Sequence, residues 1–290
     1  MACHVRETKR GRGGHGKPCP YSTHWWFRKS KVNLAGNRVA NDTHHYLIMP
    51  LIDLHCYFGV TPETLASGAG DAASAKSYAD TFGVDVLCFS SPLASTDARG
   101  GAAFLAGQLA GDARFRGWLT VSIHQPEQAG ELARKYLVKP TFCGTLLEQG
   151  GDADAITTAG GREVLNALRR YSKPVFVTVN SPATLQAAVD AAREFSTLKF
   201  FVSPQSEYMT QVTVAAMKDA VNTLFVPVAA FAERDVVANA VAVLGERRVA
   251  WASDWGRFHP AAALGMIRDS ALGAPQRERV GVRNARDVLV

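Results

Sequence analysis

A few histidines, carboxylates and hydroxyls stand where this chain could do chemistry. From residue 50 onward, apolar runs rich in Val, Ile and Phe recur, and most are closed on their C-terminal side by a polar residue. His55 and Tyr57 follow the first run, His124 the third, Glu148 the fourth, Thr178 and Asn180 the fifth, Ser203 to Gln205 the sixth, and Asp254 the eighth. Of the eight histidines, His4, His15, His24, His44 and His45 precede the first run, which leaves His55, His124 and His259 to a folded domain. A single loop histidine is more often solvated than catalytic, and it is the shared placement of the three after apolar runs that points to function.

Asp254 closes Val249-Ala250-Trp251-Ala252 and is followed by Trp255-Gly256. A carboxylate between apolar walls gains basicity, so it can take a proton from water as a general base or hold a metal. Pairing with Arg257, or capping a helix after Pro260, is the structural alternative. Glu148 suits an acid or a ligand as readily as an ordinary loop position. Tyr57 alternates with His55 and shares its face in an extended strand, where its hydroxyl could donate to an oxyanion or only pack. His55, Tyr57, Glu148 and Asp254 are therefore the catalytic candidates. His124, Thr178, Asn180, Trp255 and His259 are expected to contact substrate.

The elements that must position these groups follow from periodicity. The spacing predicts strands over 50–54, 84–89, 117–123, 142–147, 174–179, 198–203, 223–228 and 248–253. Ala-rich stretches of helical period lie between them, near 72–82, 101–111, 126–138, 161–171, 183–194, 209–221 and 233–244, with a last one near 260–271. Strictly alternating βα units with no break in composition predict one α/β domain over residues 49–290, a single (β/α)8 TIM barrel whose reactive groups sit at the C-terminal ends of its strands. An open doubly wound sheet is the alternative, because periodicity does not report closure. No phosphate loop and no GxGxxG follows the first strand.

The net charge of +6 over 290 residues belongs to one end of the chain. Residues 1–48 hold nine Lys/Arg against two acids, or +7, and the remainder is at −1. This Gly-, Arg- and His-rich leader has no apolar period and is expected to be poorly ordered, or to lie upstream of a true start at Met49. A transit peptide is the rival reading, and an RNA-binding tail a weaker one. No apolar stretch suits a secretory signal or a membrane span, so a cytoplasmic protein without nucleic-acid or membrane partners is expected. Cys56, Cys88 and Cys143 have no paired spacing and are expected to be reduced.

Leu51-Ile52-Asp53-Leu54-His55-Cys56-Tyr57-Phe58-Gly59 resembles the opening strand of the amidohydrolase-related branch of the amidohydrolase superfamily, apolar-Asp-x-His-x-His-x-Gly. Ala252-Ser253-Asp254-Trp255 resembles its closing Gly-Ser-Asp-Tyr/Trp. Between them, Arg114-Phe115-Arg116-Gly117-Trp118, Phe142-Cys143-Gly144, Lys173-Pro174-Val175 and Asn284-Ala285-Arg286 match in order. The resemblance implies a TIM barrel of hydrolase, lactonase or decarboxylase type acting on small carboxylated or aromatic compounds. It also implies a zinc or manganese site built from two first-strand histidines, one or two from the fifth and sixth strands, and an eighth-strand aspartate. Only His55 and Asp254 match those ligands; Tyr57, Thr178 and Ser203-Pro204 stand at the others. A catalytic zinc ordinarily has three protein ligands, so no tightly bound cofactor is expected. A zinc or manganese ion completed by Glu148 and His124 is the alternative.

Within that branch a lactonase group works without a divalent ion. The expected function is hydrolysis of a small carboxylated or cyclic substrate, of lactone or ester type, with Asp254 as general base. A decarboxylase or lyase, or an inactive barrel kept for ligand or partner binding, are the alternatives, and a homodimer is compatible with the family.

Overall fold

The computed structural model describes residues 50–59, 70–148, 155–227 and 235–289. These all lie in one compact unit, Tyr46–Val290. The basic leader and the start expected at Met49 lie outside the described residues.

Seven parallel strands run in sequence order: β1 Leu51–Tyr57, β2 Val84–Ser90, β3 Phe115–Ser122, β4 Phe142–Glu148, β5 Val175–Val179, β6 Phe200–Pro204 and β7 Thr223–Phe225. Helices α1 Ala72–Phe82, α2 Ala98–Gln108, α3 Pro126–Tyr136, α4 Ala159–Leu168, α5 Pro182–Glu194, α6 Glu207–Ala216, α7 Val236–Leu244 and α8 Pro260–Arg268 alternate with them. Several helices start where a short polar side chain caps the first turn, as Asp71, Asp97, Thr158, Ser181 and Ser206 do, which fixes where each loop ends.

The expected eighth strand is present as an extended run with isolated bridges, without a ladder of its own. Ala250 N donates to Phe225 O of β7 at 2.9 Å. On the other side, Leu54 N donates to Trp251 O (3.2 Å), Asp254 N to His55 O (3.0 Å) and Tyr57 N to Trp255 O (2.9 Å). Residues 249–255 thus link the two edge strands of a curled parallel sheet, as in a TIM-like barrel.

Two apolar layers hold this arrangement. Outside the sheet, Leu51, Cys56, Phe58, Leu87 and Phe89 pack beneath the helices. Inside it, Ile52, Leu54, Cys88, Trp118, Phe176, Phe201, Leu224 and Ala252 fill the lumen, which is therefore a packed core with the reactive layer above it. Short helices that periodicity did not predict, α9 Ala274–Glu278 and α10 Asn284–Leu289, follow α8, with a π-turn over Arg279–Arg283 between them. Val282 and Ala285 join the inner layer, and Asn284 Nδ2 donates to Glu246 O (2.6 Å) and Val249 O (2.7 Å), tying the C-terminus to the start of the eighth run.

Candidate active site

A fault in the alternation of β1 sets the site. Leu51 faces the helices and Ile52 and Leu54 the lumen, yet Cys56 and Phe58 face the helices again. The register with β2 shifts between Asp53 and Cys56, so one extra residue is accommodated and the strand changes parity. His55 therefore points inward just after Leu54, and Tyr57 lies on the same side, with the two rings edge-on at 4.6 Å. The bulge takes the Leu54 carbonyl out of the ladder, and the Trp118 indole N–H supplies its partner at 2.7 Å. Trp118 reaches it because β4 offers Gly144 beneath the indole. A Cβ at residue 144 would sit 2.4 Å from the Trp118 ring.

Both ring nitrogens of His55 are engaged. Nδ1 lies 2.6 Å from Asp254 Oδ1, and Nε2 lies 3.0 Å from Ser90 Oγ. The ring also stacks on Phe176, with centroids 5.0 Å apart. All three polar residues are buried. A carboxylate can only accept, so the tautomer that satisfies both bonds carries its hydrogen on Nδ1 and presents the Nε2 lone pair to the Ser90 hydroxyl. Asp254 holds its place with a left-handed backbone (φ 52), and its own carbonyl accepts from Arg257 N at 3.0 Å. Asp is among the residues that tolerate that conformation best.

Beside this line of bonds, Tyr57 Oη accepts from Arg257 Nη1 at 3.1 Å, and the guanidinium also lies over the phenol ring. Burial, and then the Asp254 charge, push the Tyr57 phenol well above its usual range, so it stays a hydrogen-bond donor. Behind β1, the Asp53 carboxylate accepts from Tyr78 Oη (2.7 Å), Ser253 N (2.9 Å), His55 N (3.3 Å) and the Ser253 hydroxyl. Burial raises its pKa despite the Ser253 and Tyr78 hydrogen bonds, which oppose the shift. This clamp joins the strand carrying His55 to the run carrying Asp254.

Of the residues expected from sequence, the structure brings His55, Tyr57 and Asp254 together. Glu148 ends β4 opposite Ser122, and its side chain lies outside the described residues. Thr178 is half-buried on β5 beside Ser203 of β6. His124 is exposed after β3. Asn180 Oδ1 accepts from Thr184 Oγ1 at 3.2 Å where α5 begins. His259 is exposed and caps α8, its Nδ1 accepting from Ala261 N. Trp255 lies in the outer layer, stacked on Tyr78 at 5.4 Å. The helix-capping role considered for Asp254 thus falls to His259. Ser90, Asp53 and Arg257 were not among the candidates. Ser90 closes the second apolar run, so the rule that found the others would have found it too. Cys56, Cys88 and Cys143 are free and buried, and burial raises the Cys56 and Cys88 thiols, which leaves them poor nucleophiles.

The donors among the described residues do not suit a resident divalent ion. His55 and Asp254, the two residues matching metal ligands, bond directly to each other, and the other His55 nitrogen meets a hydroxyl. Tyr57 is a neutral phenol bonded to a guanidinium cation. Among the described residues, no group of three or more His, Cys, Asp and Glu is gathered at metal-binding spacing.

A curled parallel sheet with an aspartate and a histidine near the C-terminal ends of its eighth run and first strand is an amidohydrolase-like α/β arrangement. Residues 67–289 match the Amidohydrolase family profile, and the chain belongs to that family. The first strand, with His55 and Tyr57, precedes the matched segment. No curated protein sequence is similar enough to count as a match. Among solved structures, the chain resembles 5-carboxyvanillate decarboxylase from Sphingomonas paucimobilis (TM-score 0.66, 15% identity, 83% of this chain and 99% of that one). It also resembles a dihydroxybenzoic acid decarboxylase from Polaromonas with bound manganese (TM-score 0.63, 16% identity, 83% and 96%). A probable 2-pyrone-4,6-dicarboxylic acid hydrolase from Acinetobacter baumannii is similar as well (TM-score 0.62, 13% identity, 82% and 98%). At these identities the likeness concerns the fold. No helix among the described residues is long and apolar enough to cross a membrane.

Proposed function

We propose that the protein is a hydrolase of small carboxylated or cyclic esters, of lactone type, working on a closed barrel with the His55–Asp254 pair as its base and without a resident metal. The 2.6 Å contact between His55 Nδ1 and Asp254 Oδ1 carries this reading. Sequence assigns the base role to Asp254 alone. With its carboxylate committed to Nδ1, Asp254 instead fixes the tautomer and stabilises the imidazolium, and Nε2 takes the proton from the attacking hydroxyl or water.

The negative charge that develops on the acyl oxygen needs a donor. Tyr57 can supply it, because accepting a bond from Arg257 polarises its own O–H. Arg257, exposed at the rim, offers a positive charge to a substrate carboxylate. An activated ester or lactone is electrophilic enough for such a site, and an unactivated amide is a poorer match.

The test is turnover of p-nitrophenyl acetate and dihydrocoumarin by wild type, His55→Gln and Asp254→Asn. Each variant should lose about 10²-fold or more, the lower range for a lost general base. Full activity in either folded variant ends the proposal. Release of CO2 from 2,6-dihydroxybenzoate, with no ester or lactone turned over, would transfer the same pair to a decarboxylase.

A further inference from the structure

We infer that Ser90 is a nucleophile, and that Ser90, His55 and Asp254 form a serine–histidine–aspartate relay in place of the family's metal centre. The inference rests on the hydrolase reading above and adds to it a covalent acyl-enzyme. Three observations carry it. Ser90 Oγ lies 3.0 Å from His55 Nε2, and the opposite ring nitrogen lies 2.6 Å from the Asp254 carboxylate, so hydroxyl, imidazole and carboxylate lie in one chain of hydrogen bonds. A nucleophile within about 2.6–3.2 Å of a base that a third group orients is the geometric signature of nucleophilic catalysis on any fold.

Secondly, adjacent elements hold the three side chains. Ser90 ends β2 opposite Tyr57 of β1, and its carbonyl accepts from Phe58 N at 2.9 Å. His55 lies two residues before the end of the same β1, and Asp254 N donates to the His55 carbonyl at 3.0 Å. The parity of β2 agrees, since Val86 and Cys88 belong to the inner layer and Leu87 and Phe89 to the outer, which turns Ser90 inward.

Thirdly, Ser90, His55 and Asp254 are 3%, 3% and 4% exposed, and the Ser90 hydroxyl occupies the position at Nε2 from which a water would otherwise attack. A water-based mechanism would first have to displace it.

The reaction balances without a further reagent. Ser90 Oγ bonds to the acyl carbon as its proton passes to His55 Nε2, and the carbonyl π pair moves onto oxygen, where Tyr57 Oη can donate. The intermediate collapses, the C–O bond to the leaving alkoxide breaks, and that oxygen takes the proton from Nε2. Water then attacks the acyl-serine, gives its proton to His55, and the proton returns to Ser90 Oγ as the acid leaves. A lactone follows the same course, with the alkoxide tethered to the acyl group.

The experiment is acid quench of the full chain during turnover of p-nitrophenyl acetate, followed by peptide mass mapping, for wild type, Ser90→Ala, Ser90→Cys and Asp254→Asn. Acetyl is expected on the peptide containing Ser90 in wild type, accumulating in Asp254→Asn where deacylation slows. The adduct should be absent from Ser90→Ala, with turnover at least about 10³-fold lower, and should reappear on the thiol of Ser90→Cys. An adduct elsewhere or none at all, or Ser90→Ala within threefold of wild type, overturns the inference. If His55→Gln is nonetheless inactive, the general-base hydrolase stands without the serine. If wild type turns over no ester or lactone, the hydrolase reading falls, and labelling by diisopropyl fluorophosphate decides the nucleophile separately. A phosphorylated Ser90 retains it, and an unlabelled Ser90 removes it.

Discussion

Replacing Asp53 separates two views of a buried carboxylate. Two backbone N–H groups, from Ser253 and His55, converge on Oδ1, and two hydroxyls, from Tyr78 and Ser253, converge on Oδ2. Asp53→Ala deletes the acceptor for all four. The hydroxyls can rotate toward other partners, whereas the two amides are fixed and buried. An orphaned buried donor costs about 1–3 kcal/mol, so Asp53→Ala should lose about 4 kcal/mol, or roughly 8–16 °C in thermal midpoint for a chain of this size. Asp53→Asn should behave differently. Its amide oxygen can keep the two backbone donors while its NH2 faces the rotatable hydroxyls, and it carries no charge to desolvate.

Burial is the dominant influence on Asp53 and raises its pKa above the ordinary 3.8. The folded protein therefore holds this proton more tightly than the unfolded chain does. The resulting stabilisation is full below 3.8 and is lost as pH rises through the raised folded value. Asp53→Asn has no such proton, so it should lie within about 1.5 kcal/mol of wild type at pH 7, the net worth of one hydrogen bond, and lack that loss on raising pH. Urea and thermal unfolding from pH 3 to 8 measure both effects. An Asp53→Ala protein within about 1 kcal/mol of wild type would refute the reasoning, because a single unsatisfied amide costs that much.

Three further outcomes are expected. Gly144→Ala places a Cβ 2.4 Å from the Trp118 ring and 2.5 Å from the Pro174 carbonyl, which already accepts from Thr145 N in the sheet. It should cost about 3 kcal/mol in chemical denaturation and, through Trp118 and the β1 bulge, lower turnover as well. Tyr57→Phe keeps the ring against His55 and removes the hydroxyl. It should lower kcat by about 10²-fold with little change in KM, as loss of an oxyanion donor does, and an equal kcat would remove Tyr57 from the chemistry. Asn284→Ala strips the side-chain donor from the Glu246 and Val249 carbonyls and should cost about 2 kcal/mol by thermal unfolding, with the reactive layer unaffected.

Most of the sheet was legible because its strands are largely buried on both faces and hold short apolar runs, such as Val86 to Phe89 and Val175 to Val177. The eighth run was legible as apolar but not as a bridged segment without a ladder, because hydrogen-bond partners come from distant residues. The helices after Arg268 escaped notice because neither α9 nor α10 is long enough to establish a period. At the site, position along the chain was enough to single out His55, Tyr57 and Asp254. The bond between His55 and Asp254 was not legible, since it depends on a one-residue bulge in β1 that no local pattern announces. Trp255 and Asn180 share the same stretches of sequence, yet strand parity and helix capping turn them to other tasks.

The measurement that tests the account most directly is the metal content of the active protein, taken together with its ester and lactone turnover before and after exhaustive chelation. The hydrogen-bonded line from Asp254 through His55 to Ser90 predicts well under one equivalent of zinc, manganese or iron, and rates unchanged by the chelator. One full equivalent of a transition metal, whose removal abolishes turnover and whose return restores it, would contradict it.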